Sequence, residues 1–428
     1  MSSIIRSALA LTMAGIALGG AQSCTPKTDT GSLPVRIVVR DEPQEMVAGE
    51  DGTFHFKIPV GYIPKGGVID FNVNVNTTPA CSKYYVTEFL AGKTWYKGDM
   101  FMCSGIENGP GSHPTTVMQT FRMPEAIKGE LDIRFRPTGR EKADTSSYNG
   151  GRASMSLVKY GYTGEYVQYF GTAEPKDTMN VLCIGNSFTY FHGTPSMLKE
   201  IAWNEGHFLR IKATLKGGQT LGQHFALPLS RNVSNVGHYD FAFLQDQSQA
   251  PANYAKDSVE FAYVKDDFLK MADRVISRSA GCRFALEDTW AYEAGEFGGF
   301  GSYEEFDRLM DEGTARMAAA AAETFGNNEF CVSPIGKAFS IVRNGDSGID
   351  LYDTDRKHQS EYGSYLKACV NYLILTGERF HSQPDPASLT SVDCGLPHDQ
   401  AAYLRGVAEQ VMGFSTNSSV VTDEIISR

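Results

Sequence analysis

Residues 179–184 form an apolar run that the chain leaves through Gly185, Asn186, Ser187, Phe188 and Thr189. A serine on the turn out of a buried strand is held rigidly, with its hydroxyl aimed away from the sheet edge. The backbone N–H groups that follow can then help hold an oxyanion. Far along the chain, Asp355 precedes His358 by three residues, just before a segment of helical period. An aspartate so placed can turn back to accept the imidazole Nδ1 proton, leaving Nε2 to take the proton of a serine hydroxyl. Together these residue types supply acyl transfer by an activated serine. Taken alone, Ser187 also suits a simple turn or helix N-cap. The elbow pattern G-x-S-x-G is not met, because Thr189 stands where its last glycine belongs.

Elements of alternating type must bring these groups together. Strands are expected at 179–184, 209–215, 239–244, 283–286 and 330–332. Helices are expected at 195–203 (with Thr194 as N-cap), 259–276, 303–325, 361–376 and 398–412. Strands alternating with helices predict a parallel sheet covered on both faces, which binds ligands at the carboxyl ends of its strands. The second strand ends in Gly217, Gly218, Gln219 and Thr220, where glycine lets backbone approach a ligand. The third ends in Gln245, Asp246, Gln247 and Ser248, which puts a carboxamide at the same edge.

These four segments resemble the blocks of the SGNH (GDSL-type) hydrolases, in a branch whose first block reads Gly-Asn-Ser-Phe-Thr. The resemblance covers roughly residues 179–414. It implies a flavodoxin-like three-layer α/β fold and a serine esterase that needs no cofactor or metal. It implies Ser187 as nucleophile, His358 as general base and Asp355 as its orienting partner. The oxyanion hole would comprise the N–H groups of Ser187 and Gly218 with Gln247. Two positions depart from the family pattern: Asn186 replaces an aspartate, and Gln247 replaces an asparagine. Glutamine can donate the same hydrogen bond only if its longer side chain folds back.

Other readings compete for nearby residues. Gly345, Asp346 and Ser347 spell a literal Gly-Asp-Ser, but they follow a helical segment and precede Gly348, as a turn does. Asp353, Asp355, His358 and Glu361 have side chains that can ligate a metal, yet no second histidine stands at ligand spacing. Glu287, Asp288, Thr289 and Trp290 follow the fourth strand and are expected to line the cleft. Tyr190 and Trp290 are candidates to stack on a sugar ring, or to pack beneath the site. His192, His207, His224 and His238 are scattered and read as structural or exposed.

Before residue 172 the pattern has period two: Ile69, Phe71, Val73 and Val75 alternate with Asp70, Asn72 and Asn74, and Leu131, Ile133 and Phe135 with Asp132, Arg134 and Arg136. Turn signals at 64–67 and 108–111 separate such runs, which predicts an antiparallel β-sandwich domain over 33–171. A linker at 172–177 then leads to a hydrolase-like domain at 178–416. Tyr84, Tyr85, Trp95 and Tyr96 could serve a carbohydrate surface or simply the core.

Arg6, the apolar stretch 8–18 and the small residues before Cys24 read as a leader over 1–23. The pattern resembles a bacterial lipobox, which makes Cys24 the lipidation site and the chain an exported, membrane-anchored lipoprotein, periplasmic or on the cell surface. A plain secretory signal is the competing reading. Export lets cysteines pair. Cys81 and Cys103 are the candidates in the N-terminal half, and Cys369 with Cys394 in the other, whereas Cys183, Cys282 and Cys331 read as buried thiols.

Of 428 residues, 42% are hydrophobic and 21% charged, a globular balance, and the net charge of −11 with no basic cluster excludes a nucleic-acid partner. Two functions stay open. One is an exported esterase acting on a carbohydrate ester, such as an O-acetyl group, or another small ester. The other is a catalytically inactive, surface glycan-binding lipoprotein on the same fold.

Overall fold

The structure is a computed structural model that describes residues 36–40, 44–63, 65–66, 68–75, 83–103, 115–137, 152–156, 158–162, 178–381 and 392–414. The leader with Cys24, the linker at 172–177, Cys81 and the turn at 108–111 lie outside the described residues, as does the side chain of Cys103.

Among the described residues, ten strands come first: β1 (Arg36–Arg40), β2 (Gln44–Val47), β3 (Phe54–Ile63), β4 (Val68–Val75), β5 (Lys83–Ala91), β6 (Thr94–Cys103), β7 (Thr115–Arg122), β8 (Ile127–Pro137), β9 (Arg152–Ser156) and β10 (Val158–Tyr162). They pair antiparallel, in the orders β1-β10, β2-β9-β4-β7 and β3-β8-β5-β6. The period-two pattern has its physical basis in β8. Ile127, Leu131, Ile133 and Phe135 are buried, while Asp132, Arg134 and Arg136 point to the other face. Phe54, Phe56, Tyr85 and Phe89 complete that core. Of the aromatic stretch, Tyr85 is thus a core residue and Tyr96 stacks on Phe89, whereas Trp95 lies under the Arg134 guanidinium at 4.0 Å. The side chains of β4, β7 and β9 lie outside the described residues, and with them the face-to-face packing a sandwich requires.

The second half alternates strand and helix: β11 (Thr178–Gly185), α1 (Ser187–Tyr190), α2 (Thr194–Asn204), β12 (Phe208–Leu215), α3 (Leu221–Ala226), α4 (Pro228–Val236), β13 (Phe241–Leu244), α5 (Ala250–Lys256), α6 (Ser258–Ile276), β14 (Arg283–Glu287), α7 (Tyr303–Thr324), β15 (Phe330–Ser333), α8 (Ile335–Asn344), α9 (Glu361–Thr376) and α10 (His398–Val411). The five strands form a parallel sheet in the order β12-β11-β13-β14-β15. The central strands are apolar throughout because both faces are covered. Val181, Cys183, Phe241 and Phe243 face a core shared with α2, α8, α9 and α10. Leu182, Ile184, Ala242 and Leu244 face one shared with α3, α4 and α6. The fold is therefore α/β, with antiparallel sheets preceding a parallel one.

Several local expectations need correction. The N-cap of α2 is Gly193, at φ 70°, not Thr194, whose hydroxyl instead donates to Phe191 O. Cys369 and Cys394 are both buried and form no disulfide with each other. Cys183 and Cys282 are buried free thiols as expected, and burial pushes the Cys282 thiol up to about 12. The short helices α3, α4 and α5 have no counterpart in the expected elements. No described helix is long and apolar enough to cross a membrane.

Candidate active site

The sheet order reverses between β11 and β13, and in such sheets that reversal opens a crevice beyond the strand ends. Ser187 sits there, as the first residue of α1. The turn that carries it is built from two carboxamides. Gln245 Oε1 accepts the Asn186 N–H (2.8 Å) and the Thr189 hydroxyl (3.0 Å). A Cβ at Gly185 would sit 2.3 Å from Thr189 Oγ1 and 2.7 Å from Gln245 Oε1, so only glycine lets the strand end here.

Asn186 caps α1 by accepting the Phe188 N–H at 3.0 Å. Its Nδ2 donates the other way, to Gln219 O (3.3 Å) and more weakly to Asp246 O (3.5 Å). One side chain therefore joins the ends of β11, β12 and β13. That explains asparagine at this position: a carboxylate could make the cap, but it would face two carbonyl oxygens. Asp246 joins the same edge, with Oδ1 accepting the N–H groups of Leu221 (2.9 Å) and Gln247 (2.8 Å). Burial pushes its carboxyl up to about 6, against those hydrogen bonds.

Ser187 Oγ lies 2.8 Å from His358 Nε2, and His358 Nδ1 lies 2.5 Å from Asp355 Oδ2. Asp355 Oδ1 accepts the N–H groups of Lys357 (3.0 Å) and His358 (2.9 Å), which folds the aspartate back onto the histidine three residues later. Burial acts to raise the Asp355 pKa, but these bonds and the imidazole outweigh it and hold the carboxyl below its ordinary value. Phe191 stacks on the imidazole at 4.2 Å and Phe188 meets it edge-on at 5.3 Å, which fixes the ring plane.

The loop bearing Asp355 and His358 is closed by the Tyr352–Gln359 bridge and by Asp353 N–H to His358 O at 2.8 Å. Arg356, at φ 55°, anchors it by pairing with Glu293 and with Asp350 (2.7 Å). Asp353 contacts His192 Nε2 at 3.4 Å. Among the described residues, no group of three His, Cys, Asp or Glu side chains is arranged to hold a metal.

The expected anion donors stand on the same edge. Ser187 opens its helix, so its N–H has no intrahelical acceptor. Gly218 is exposed at φ 68°, a conformation glycine adopts without strain. Gln247 Oε1 accepts the Gln249 N–H at 2.9 Å, and its Nε2 lies 3.4 Å from Ser248 Oγ.

The stacking roles of Tyr190 and Trp290 are corrected. Trp290 is wholly buried between the rings of Phe188 (4.5 Å) and Phe339 (4.2 Å), both parallel to it, and its Nε1 donates to Lys357 O at 3.0 Å. With both indole faces occupied, no sugar can stack there. Tyr190 is 4% exposed and its hydroxyl lies against Gly217, so it too packs beneath the site. Glu287, Asp288 and Thr289 are likewise buried rather than cleft-lining.

Sequence reasoning missed what Glu287 does. Its Oε2 pairs with Lys367 Nζ at 2.6 Å and its Oε1 accepts from Asn371 Nδ2 at 2.7 Å, all out of solvent. Lys367 Nζ also donates to Phe188 O at 2.8 Å, which supports α1 from below. The available signal was a lysine and an asparagine four residues apart in the otherwise apolar stretch 366–375 of α9. His224 is a second buried support, donating from Nε2 to Gly185 O at 2.9 Å, and burial pushes it down to about 4, so it is neutral. Ser347 lies apart, in a surface turn where its hydroxyl accepts the Ile349 N–H.

No protein-family model matches the chain, and no curated protein does. Solved structures of similar shape include a DUF4886 family protein from Bacteroides uniformis, 18% identical, with a TM-score of 0.44 over 56% of this chain and 96% of that one. A Bacillus subtilis protein is 13% identical, with a TM-score of 0.41 over 78% of this chain and 88% of that one. A family two carbohydrate esterase from Clostridium thermocellum, solved with cellohexaose, is 10% identical, with a TM-score of 0.35 over 78% and 94%.

Proposed function

We propose that this protein is a serine esterase in which Ser187, His358 and Asp355 act as a triad. The observation that carries the reading is the unbroken line of contacts from Ser187 Oγ through the imidazole to Asp355, at 2.8 and 2.5 Å. Serine at its ordinary pKa is a weak nucleophile and needs such an adjacent base. His358 Nε2 takes the hydroxyl proton as Ser187 Oγ bonds to the ester carbonyl carbon. The imidazolium then returns that proton to the departing alcohol as the ester C–O bond breaks. Water, deprotonated by His358, cleaves the acyl-serine and restores the enzyme. The N–H groups of Ser187 and Gly218, with Gln247 Nε2, stabilise the oxyanion.

The strand order supports a flavodoxin-like doubly wound sheet, and the period-two half a sandwich domain at 33–171 beside a hydrolase domain at 178–416. Export and lipidation at Cys24 belong to the same proposal, on the leader pattern alone. The first substrates to test are acetylated sugars beside short-chain aryl esters, with Ser187→Ala as control. Turnover of a member of that panel by the wild type only is the expected result. Equal rates for both proteins would overturn it.

A further inference from the structure

Gln359 follows His358 directly and is fully buried. Its Nε2 lies 3.2 Å from Ser187 O and 3.2 Å from Phe188 O, so one carboxamide spans both carbonyls that follow the candidate nucleophile. The reversed amide would set an oxygen against two oxygens, so chemistry permits one orientation. In that orientation Oε1 is buried with no hydrogen-bond partner among the described residues. A buried acceptor left unpaired costs stability. Neither carbonyl depends on Gln359 for a partner: Phe188 O also accepts from Lys367 Nζ, and Ser187 O accepts the Phe191 N–H. Satisfying polar groups therefore does not account for a glutamine here.

What Gln359 alone supplies is a direct tie between the backbone of Ser187 and the residue next to His358. The other hydrogen bonds that hold the His358 loop, from Asp353, Arg356 and Trp290, run to elements other than α1, and Phe188 of α1 meets the imidazole only through an edge-on ring contact. We infer that Gln359 is a positioning residue that sets the register of α1 against the His358 loop and so holds Ser187 Oγ at hydrogen-bond distance from Nε2. This inference rests on the triad reading. Proton transfer falls steeply with small misplacement of donor and acceptor, so loosening this tie acts on turnover rather than on substrate affinity.

The test compares wild type with Gln359→Met, a substitution of similar volume that removes both the tie and the orphan oxygen. Three quantities are read: the rate of fluorophosphonate labelling, kcat and KM on an aryl acetate, and the thermal midpoint. Expected are a labelling rate and kcat at least tenfold lower, KM within threefold, and a midpoint equal to or above wild type. Labelling of Gln359→Met at the wild-type rate would overturn the inference while leaving the triad intact. A variant that fails to fold, or whose midpoint drops sharply, would equally overturn it, because the residue would then be needed for stability. Wild-type protein that does not label at all would remove the triad reading, and the inference with it.

Discussion

Lys367 Nζ lies 2.6 Å from Glu287 Oε2 in an ion pair from which water is excluded, directly beneath the helix that carries Ser187. Desolvation acts to lower the Lys367 pKa and the Glu287 carboxylate acts to raise it, with desolvation the larger.

Removing one partner leaves the other charge buried alone. Lys367→Met is therefore expected to cost about 3–5 kcal/mol, read from urea unfolding. Adding Glu287→Gln to Lys367→Met should recover much of that loss, since no uncompensated carboxylate remains. A double variant no more stable than the single one would contradict this account.

Asn186→Asp tests why an amide stands before Ser187. The cap to Phe188 N–H survives, but a carboxylate would replace the donor to Gln219 O and Asp246 O. The expected cost at pH 8 is about 1–3 kcal/mol. Facing carbonyls, the new carboxyl has a folded pKa above its unfolded one, so its protonated form favours the folded state. The deficit should therefore grow as pH rises through that range and shrink towards pH 4. Unfolding curves of the two proteins across pH 4–8 check the sign.

Asp246 should itself make stability depend on pH. Its folded pKa, about 6, lies above the ordinary 3.8, so folding favours the protonated form. The stabilisation is fully present below pH 3.8 and is lost as pH rises through 6, on the order of 3 kcal/mol by neutral pH. Asn at 246 can still accept both N–H groups through one oxygen. Asp246→Asn should thus be more stable than wild type at pH 8, with an advantage that fades towards pH 4. Denaturant midpoints at several pH values measure it.

Gln247→Ala separates the side-chain donor from the two backbone donors of the proposed oxyanion hole. A loss in kcat of about a hundredfold is expected, with KM little changed, because the N–H groups of Ser187 and Gly218 remain. Steady-state kinetics on an aryl acetate reads the split between the two constants.

The parts legible in the sequence were those fixed by local pattern. Residues 179–184 alternate between two buried faces, so the strand and the serine at its end could be read directly. Asp355 and His358 were legible as a pair because three residues let the carboxylate turn back. Trp290 misled for a physical reason: it follows a strand, but its indole fills the space between Phe188 and Phe339, and no local signal distinguishes that packing from an open cleft. The Glu287–Lys367 pair joins residues 80 positions apart, so only the packing of α9 against the end of β14 brings them together. Gln359 was silent because its role depends on carbonyls 171 and 172 residues away.

The most direct measurement is covalent labelling of Ser187 by a fluorophosphonate, with the modified residue located by mass spectrometry. Wild-type protein should be labelled at Ser187 and nowhere else, and Ser187→Ala should not react. His358→Ala should lose nearly all labelling, and kcat should fall in both variants by on the order of 10^4–10^6, because these groups act as a unit. Asp355→Asn should also be severe, since it leaves the wrong imidazole nitrogen protonated. Folded wild-type protein that neither labels nor hydrolyses esters, yet binds a glycan equally well with Ala at 187, would contradict the account.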